Sequence, residues 1–404
     1  VAVDKARLRR AVIAARVEAP ASVRDIQALV KGFYGLHVGY GTIHAILAEA
    51  EGRAAAFNRS VDLSGVEAVA LDELFSQGDP VLAGIDLDTD YVFLLKHGQG
   101  RSGADWAEAL NAGKAQGLDI QTVVKDAGTG LAAGVTQAFP AAEQRDDAFH
   151  ALQAMSKARR RLEQRGWATM ERLLEAEREH RRCQREGEWT ASASQRLRHA
   201  REHFEDAAGR HDRFEALMQE AKEAMEFIGL DSPAWRDGDE QAARIRDIAD
   251  GMASLGGKKV RGVARYLSNR APGLARYMRE LGDRLSTLAE TYGAEVVGRS
   301  CQLWRLAKDV RRAPRRDRPK LQAAARPIIE RIIRLASDRA SEATHAVLAI
   351  VAKRHRASSA VEGFNALLRP YLHVHKRVSQ GFLELYAAWR NLRTRPMGKH
   401  RGTS

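Results

Sequence analysis

A regular spacing of residues in the second half of the chain restricts its fold most strongly. Nine residues recur at alternating intervals of three and four: Leu197, Ala200, Phe204, Ala207, His211, Phe214, Met218, Ala221 and Met225. This spacing is typical of the a/d seam of a coiled coil, here repeated over about four heptads. It predicts either a long helical hairpin within one chain or a coiled coil between chains, with His211 as a tolerated seam histidine.

The helical pattern extends well beyond this seam and covers residues 151–352. We predict that this whole region is helical, with the hairpin loop at Gly187–Ser194 and further breaks at Leu255–Gly257, Pro272 and Pro314. Residues 311–320, Arg-Arg-Ala-Pro-Arg-Arg-Asp-Arg-Pro-Lys, form a basic run within it. Such a run either contacts phosphate groups or forms a solvated linker, and the sequence leaves both open.

Residues 66–150 have a different pattern, in which short apolar runs alternate with helical segments. We predict strands at Val66–Asp72, Pro80–Asp86, Tyr91–Leu95 and Ile120–Asp126, and helices at Ala104–Ala112 and Leu131–Phe139. Asp88-Thr89-Asp90 fits the turn of a hairpin. The pattern indicates an α/β sheet with apolar central strands. The chain as a whole is therefore expected to be α+β and mostly α-helical.

Residues 1–57 read as three short helices joined by glycine-containing turns. Ser22 and Asp25 fit a capping box at the start of the second helix, and Thr42 is placed to cap the third. This arrangement is typical of a helix-turn-helix module, whose third helix would expose Thr42 and His44 to DNA. An ordinary three-helix cap without DNA contact has the same pattern.

The charge balance favours a polyanionic partner. The chain has 404 residues, with 65 Lys and Arg against 52 Asp and Glu, which gives a net charge of +13. Nucleic acid is the commonest partner of such a protein, although a basic protein without one fits the same numbers. Two distant cysteines exclude a disulfide framework and a cysteine zinc module. Without a signal-peptide pattern or an apolar run of about 18 residues, we expect a reduced intracellular protein.

Two aspartates follow apolar strands at positions where sites form in open α/β sheets. Asp72 and Asp126 each end such a run, and neighbouring strands would bring the two carboxylates together. Hard oxygen ligands of this kind bind Mg²⁺ or Mn²⁺, and a pair of ions would activate the attacking oxygen in phosphodiester chemistry. Alternatively, both acids simply end strands at turns. Glu73 would face the other side of the sheet if the strand continued.

Four short motifs together resemble a DDE transposase of a bacterial insertion sequence. They are Val66–Phe75 with Asp72-Glu73, Val123–Asp126, Asp147-Ala-Phe-His150, and Ser358–Arg369 with Glu362 and Asn365. The resemblance implies an RNase H-like catalytic core formed by residues 58–150 and 353–404. The helical region 151–352 would be a large insertion in this core, and residues 1–57 would bind DNA.

The resemblance also implies the site and the reaction. Asp72, Asp126 and Glu362 would be the catalytic acids and would hold two Mg²⁺ or Mn²⁺ ions. The enzyme would cleave transposon ends and then join the freed 3′-hydroxyl to target DNA. Supporting roles are implied for Asp147 and His150, which match an Asp-x-x-His pattern of hAT and Mutator transposases, and are expected for Glu73 and Asn365.

The partners follow from the same resemblance. We expect double-stranded DNA, both transposon ends and target, and a homodimer or higher oligomer in the bacterial cytoplasm, associated with the nucleoid. Four basic residues of the last segment would lie near bound phosphates: Arg356, Arg369, Lys376 and Arg377. Affinity for DNA should then fall steeply with salt.

Other interpretations remain open at this point. Glu362 fits a capping box that starts at Ser359, a role that needs no metal. The whole chain also fits a helix-turn-helix regulator with a coiled-coil body, or a nuclease that cleaves DNA without joining ends. His199 and His203 are spaced for one metal ion on a helix, but the sequence offers no third ligand.

Overall fold

The computed structural model describes residues 4–126, 128–355, 359–375 and 378–393. The chain divides into two compact units, one formed by residues 1–147 with 355–404 and the other by residues 148–354. The first unit contains the sheet and the second is helical, so the mostly helical α+β class is confirmed. Within the described residues, no helix is both long enough and apolar enough to span a membrane.

The chain begins with three helices, as predicted: α1 (Lys5–Glu18), α2 (Val23–Tyr34) and α3 (Tyr40–Ser60). Ser22 and Asp25 form both hydrogen bonds of the predicted capping box at the start of α2. The prediction that Thr42 caps α3 is wrong, because Gly39 occupies the N-cap and Thr42 lies inside the first turn. The three helices share an apolar core of Val12, Ala21, Ile26, Val30, Ile43, Ile46 and Leu47.

A five-stranded sheet follows. Its strands are β1 (Ala68–Ser76), β2 (Asp79–Asp86), β3 (Val92–His97), β4 (Thr122–Lys125) and β5 (Glu143–Asp146), in the spatial order β3-β2-β1-β4-β5. The first three pair antiparallel, while β4 pairs parallel with both β1 and β5. Helices α4 (Gly103–Lys114) and α5 (Thr129–Ala138) connect the later strands. The sequence did not predict β5, because Glu-Gln-Arg-Asp contains no apolar residue.

The second unit consists mainly of α-helices. They are α6 (Ala148–Glu186), α7 (Ala191–Ala224), α8 (Gly238–Ser254), α9 (Lys258–Ala275), α10 (Tyr277–Tyr292), α11 (Ala294–Arg312), α12 (Arg318–Ala336) and α13 (Ala340–Ala352). A 3₁₀ turn at Ser337–Arg339 joins the last two.

The C-terminal half of the heptad seam of α7 packs in one core with α6 of the same chain, as the hairpin alternative predicts. Phe214, Met218 and Ala221 of the seam are fully or almost fully buried in a core that also includes Met155 of α6. The predicted break at Pro272 is wrong, because Pro272 lies inside α9. A proline there removes one backbone hydrogen bond, and burial of the neighbouring Ala271 and Leu274 offsets that loss.

Two C-terminal helices, α14 (Ser359–Val374) and α15 (Gln380–Leu392), return to the first unit and cover one face of the sheet. Ala70 and Leu74 of β1 share an apolar core with Phe364 of α14 and Phe382 of α15. The intervening residues of β1 face Trp106 and Leu110 of α4 on the other side. The predicted loop at His373-Val-His375 is wrong, because α14 extends to Val374.

Side chains of α15 close the exposed edge of β3. The amide of Asn391 pairs with both backbone groups of Val92, at 2.9 Å for each hydrogen bond. At the other end of the strand, Gln380 donates to the carbonyl of Leu95 at 3.1 Å and accepts from the amide of His97 at 2.8 Å. These contacts satisfy backbone groups that an edge strand otherwise leaves unpaired.

Replacing Asn391 with leucine should destabilise the first unit strongly. The substitution leaves two buried backbone groups of Val92 unpaired, which costs about 2–4 kcal/mol of unfolding free energy. Urea denaturation measures the change. The matched variant Gln380→Leu should lose less unfolding free energy. Gln380 is exposed, so water can replace the hydrogen bonds of its side chain. Equal losses in the two variants would contradict this account of the edge.

Candidate active site

Asp72 lies in the middle of the central strand, where its carboxylate is almost buried. Its side chain accepts two hydrogen bonds, from the backbone amide of Glu73 at 2.8 Å and from the side-chain amide of Asn365 at 2.6 Å. The prediction that Asp72 ends its strand is wrong, since pairing with β2 continues as far as Ser76. The antiparallel partner supplies the hydrogen bonds that extend β1 past the apolar run.

Asp126 is the residue directly after β4. Strand β4 lies next to β1, which contains Asp72. The last parallel pair joins Leu71 to Lys125, so the two aspartates occupy the next position on adjacent strands. Strand alternation assigns both positions to the sheet face that α14 covers. The carboxylate of Asp126 accepts a hydrogen bond of 2.7 Å from the backbone amide of Gly128, directly before α5.

Glu362 reaches Asp72 from the first turn of α14. The two carboxylates offer oxygen atoms within 4.8 Å of each other, although the residues lie 290 positions apart in the chain (362 − 72). The Glu362 side chain is 17% exposed, and a guanidinium nitrogen of Arg369 lies 3.7 Å from it. Among the described residues, Asp126 does not join Asp72 and Glu362 in a group whose ligand oxygens all lie within 4.8 Å of one another. The structure thus brings Asp72 and Glu362 together, with Asp126 on the adjacent strand.

Asn365 lies one turn after Glu362 and is fully buried. Its side-chain amide donates to Asp72, so it orients that carboxylate and not the one on its own helix. Its carbonyl oxygen is buried and has no hydrogen-bond partner among the residues that the structure describes. Packing around the buried Asn365 side chain therefore holds it in place and fixes the direction in which its NH₂ group donates.

Glu73 lies on the opposite face of the sheet, as alternation requires. Its carboxylate accepts from the indole N–H of Trp106 at 3.0 Å and from Arg101 at 3.3 Å. Asp147 is buried directly after β5, and its backbone amide donates to the carbonyl of Lys125. His150 lies in the first turn of α6, in the second unit. The supporting roles of Glu73, Asp147 and His150 stay predictions.

The residues predicted to bind DNA lie in several places. Thr42 and His44 are exposed on α3, and the His44 ring is 4.5 Å from that of Tyr40. Arg369 is on α14 beside Glu362. The other three, Arg356, Lys376 and Arg377, lie outside the described residues, as does Ser358.

Sequence reasoning missed the contact that joins the N-terminal helices to the helix of Glu362. The guanidinium of Arg16 lies 2.9 Å from a ring nitrogen of His375 and stacks over Phe382. The hydroxyl of Tyr371 donates to the carbonyl of Val17 at 2.5 Å. Burial and the nearby Arg16 lower the pKa of His375 to about 4, so the imidazole is neutral at pH 7. No local pattern predicts a pairing across 359 positions.

Comparisons with known proteins give the family. No curated protein matches the chain. The family model for ISL3-type DDE transposases, described as "Transposase", matches residues 69–286, which is just over half of the 404 residues. The match includes Asp72 and Asp126 and ends before Glu362. The chain belongs to this family of insertion-sequence transposases.

Proposed function

We propose that this protein is a DNA transposase that cleaves the ends of its insertion sequence and joins the freed 3′-hydroxyl to target DNA. The observation that carries the proposal is the convergence of Asp72 and Glu362 within 4.8 Å, from a central strand and a late helix. The strand order, with antiparallel β1–β3 and parallel β4 and β5, supports the expected RNase H-like core.

The residues fit a divalent metal centre. Two carboxylates this close repel each other, and a bound cation would offset that repulsion. Asp72, Glu362 and Asp126 supply only oxygen ligands, which suits Mg²⁺ or Mn²⁺. We propose that they hold two ions. When bound, the ions would supply an activated water or 3′-hydroxyl and stabilise the leaving oxygen.

Other residues orient the proposed catalytic acids, stabilise their strand or contact the DNA. Asn365 holds the Asp72 carboxylate in one orientation, which reduces the reorganisation that a metal or substrate would require. We propose that Asp147 and His150 support the same chemistry and that Glu73 stabilises the strand from its other face. Thr42 and His44 on α3 are proposed to contact transposon-end DNA, and Arg369 to contact phosphates beside Glu362.

We propose that the active form is a homodimer or a higher oligomer, because two transposon ends must be brought together for one strand-transfer event. Phe214, Met218 and Ala221 of the heptad seam are buried within the chain, so a dimer would not use this part of α7.

A strand-transfer assay tests the proposed function. The full chain is incubated with Mg²⁺, duplexes that carry the ends of its own element, and a supercoiled target plasmid. We expect joined products in which an end is covalently linked to the plasmid. Nicked plasmid without joined ends would indicate a nuclease, and binding without any cleavage would indicate a regulator; either result would contradict the proposal.

A further inference from the structure

The turn between α11 and α12 has the most concentrated positive charge of the second unit's helix connections. Of the ten residues 311–320, six are Lys or Arg and one is Asp. All six basic side chains are exposed, where the last turn of α11 meets the first turn of α12. We call residues 311–320 the basic corner.

The charges of the basic corner are largely unneutralised. Arg311, Arg312, Arg315 and Lys320 make no ion pair with any residue that the structure describes. Arg316 lies 3.7 Å from Asp317, and Arg318 donates to the carbonyl of Ala313. Further along α12 the pattern differs, because Arg326 pairs with Glu330 at 2.9 Å.

The α6–α7 hairpin provides an internal comparison. It is also rich in arginine, and four of its exposed arginines pair with glutamates along the two helices: Arg181 with Glu177, Arg182 with Glu186, Arg196 with Glu179 and Arg201 with Glu177. An exposed cation that is paired with a carboxylate contributes little net electrostatic field toward a polyanion. Several unpaired cations that lie close together in one turn add up to a strong field. Arg311, Arg312, Arg315 and Lys320 of the basic corner therefore differ from these four paired arginines of the hairpin in ion pairing.

The chemistry of the basic corner suits the phosphates of duplex DNA and not its bases. Long, exposed Lys and Arg side chains contact phosphate oxygens at little cost, and the positive N-terminal end of α12 adds to the field. The corner is a turn flanked by helix ends, with a proline before α12 at Pro314 and another within its first turn at Pro319. It therefore presents no continuous helix to read a groove, and phosphate contacts carry no direct sequence information.

We infer that the basic corner is a second duplex-binding site, independent of sequence, that holds target or flanking DNA while the N-terminal helices bind the transposon end. This inference rests on the proposed function for the origin of the DNA. The binding itself does not depend on catalysis, so it can be measured in EDTA with a random-sequence duplex.

The test compares two quadruple variants of the full chain that have the same net charge. In the first, Arg311→Gln, Arg312→Gln, Arg315→Gln and Lys320→Gln remove the unpaired cations of the corner. In the control, Arg181→Gln, Arg182→Gln, Arg196→Gln and Arg201→Gln remove the paired cations of the hairpin. Both lower the formal net charge from +13 to +9 (13 − 4).

The readout is the slope of log affinity against log salt for the random duplex. Each phosphate contact contributes about 0.9 to this slope, so the corner variant should lose up to about 3.6 and the control less than about 1. An unchanged slope in the corner variant would overturn the inference, as would an equal loss in both variants. If the corner variant behaves as expected but the wild-type chain joins no ends, the inference stands and the proposed function fails.

Discussion

Alanine at Asp72, Asp126 or Glu362 is expected to reduce both end cleavage and strand transfer at least about 1,000-fold. Loss of one ligand of a metal centre removes several kcal/mol of transition-state stabilisation, and each 1.4 kcal/mol is about tenfold in rate. The effect at Asp126 is the most informative, because the backbone register places Asp126 next to Asp72, whereas its carboxylate is not part of the close pair formed by Asp72 and Glu362. Gel assays of single-turnover cleavage and joining measure both steps.

Asp119→Ala is the matched control for these variants. Asp119 is an exposed acid just before β4, whereas Asp126 follows the same strand. Its loss should leave both steps within about twofold of wild type, as is usual for surface substitutions. Wild-type activity in the Asp126 variant, with the fold intact by circular dichroism, would contradict the assignment of Asp126 and favour the view that it only ends its strand.

Asn365→Leu is expected to reduce end cleavage about 10- to 100-fold and to raise the Mn²⁺ concentration that gives half-maximal activity. Leucine keeps most of the buried volume but removes the donor that orients Asp72. Loss of such an outer partner typically costs that factor in metal affinity or activity. A titration of cleavage rate against Mn²⁺ concentration measures the change.

A control on the same helix separates positioning from stability. Leu368 is fully buried and packs in the core beneath α14, so Leu368→Ala should destabilise the protein by about 2–5 kcal/mol. At a temperature where both variants are folded, Leu368→Ala should keep the wild-type Mn²⁺ requirement. If the requirement rises in both variants, or in neither, Asn365 has only a structural role.

The sequence predicts the helices and strands of the site better than it predicts their contacts. Apolar runs that end in an acid identify β1 and β4, because burial on both faces leaves a clear local pattern. The same rule misplaces the end of β1, since the pairing partner that extends it to Ser76 is a separate strand. It also misses β5, a polar strand of four residues that pairs with β4.

The hydrogen-bond partner of Asn365 shows why the sequence could not predict the contacts of the site. Helical spacing places Asn365 one turn from Glu362, and from the sequence its side chain could either orient that glutamate or cap a neighbouring loop. In the fold the amide bonds to Asp72 instead, 293 positions away. Long-range packing decides such a contact, as it does for Arg16 and His375. Local patterns contain no information about it.

Manganese binding is the decisive measurement for the proposed carboxylate metal centre. Electron paramagnetic resonance of the full chain with Mn²⁺ and transposon-end duplex counts the bound ions and reports whether they interact. We expect two Mn²⁺ per chain with a spin-coupled spectrum, as is usual for ions about 4 Å apart, and loss of that coupling in Asp126→Ala. Failure to bind Mn²⁺, or binding that the Asp126 and Glu362 substitutions leave unchanged, would contradict it.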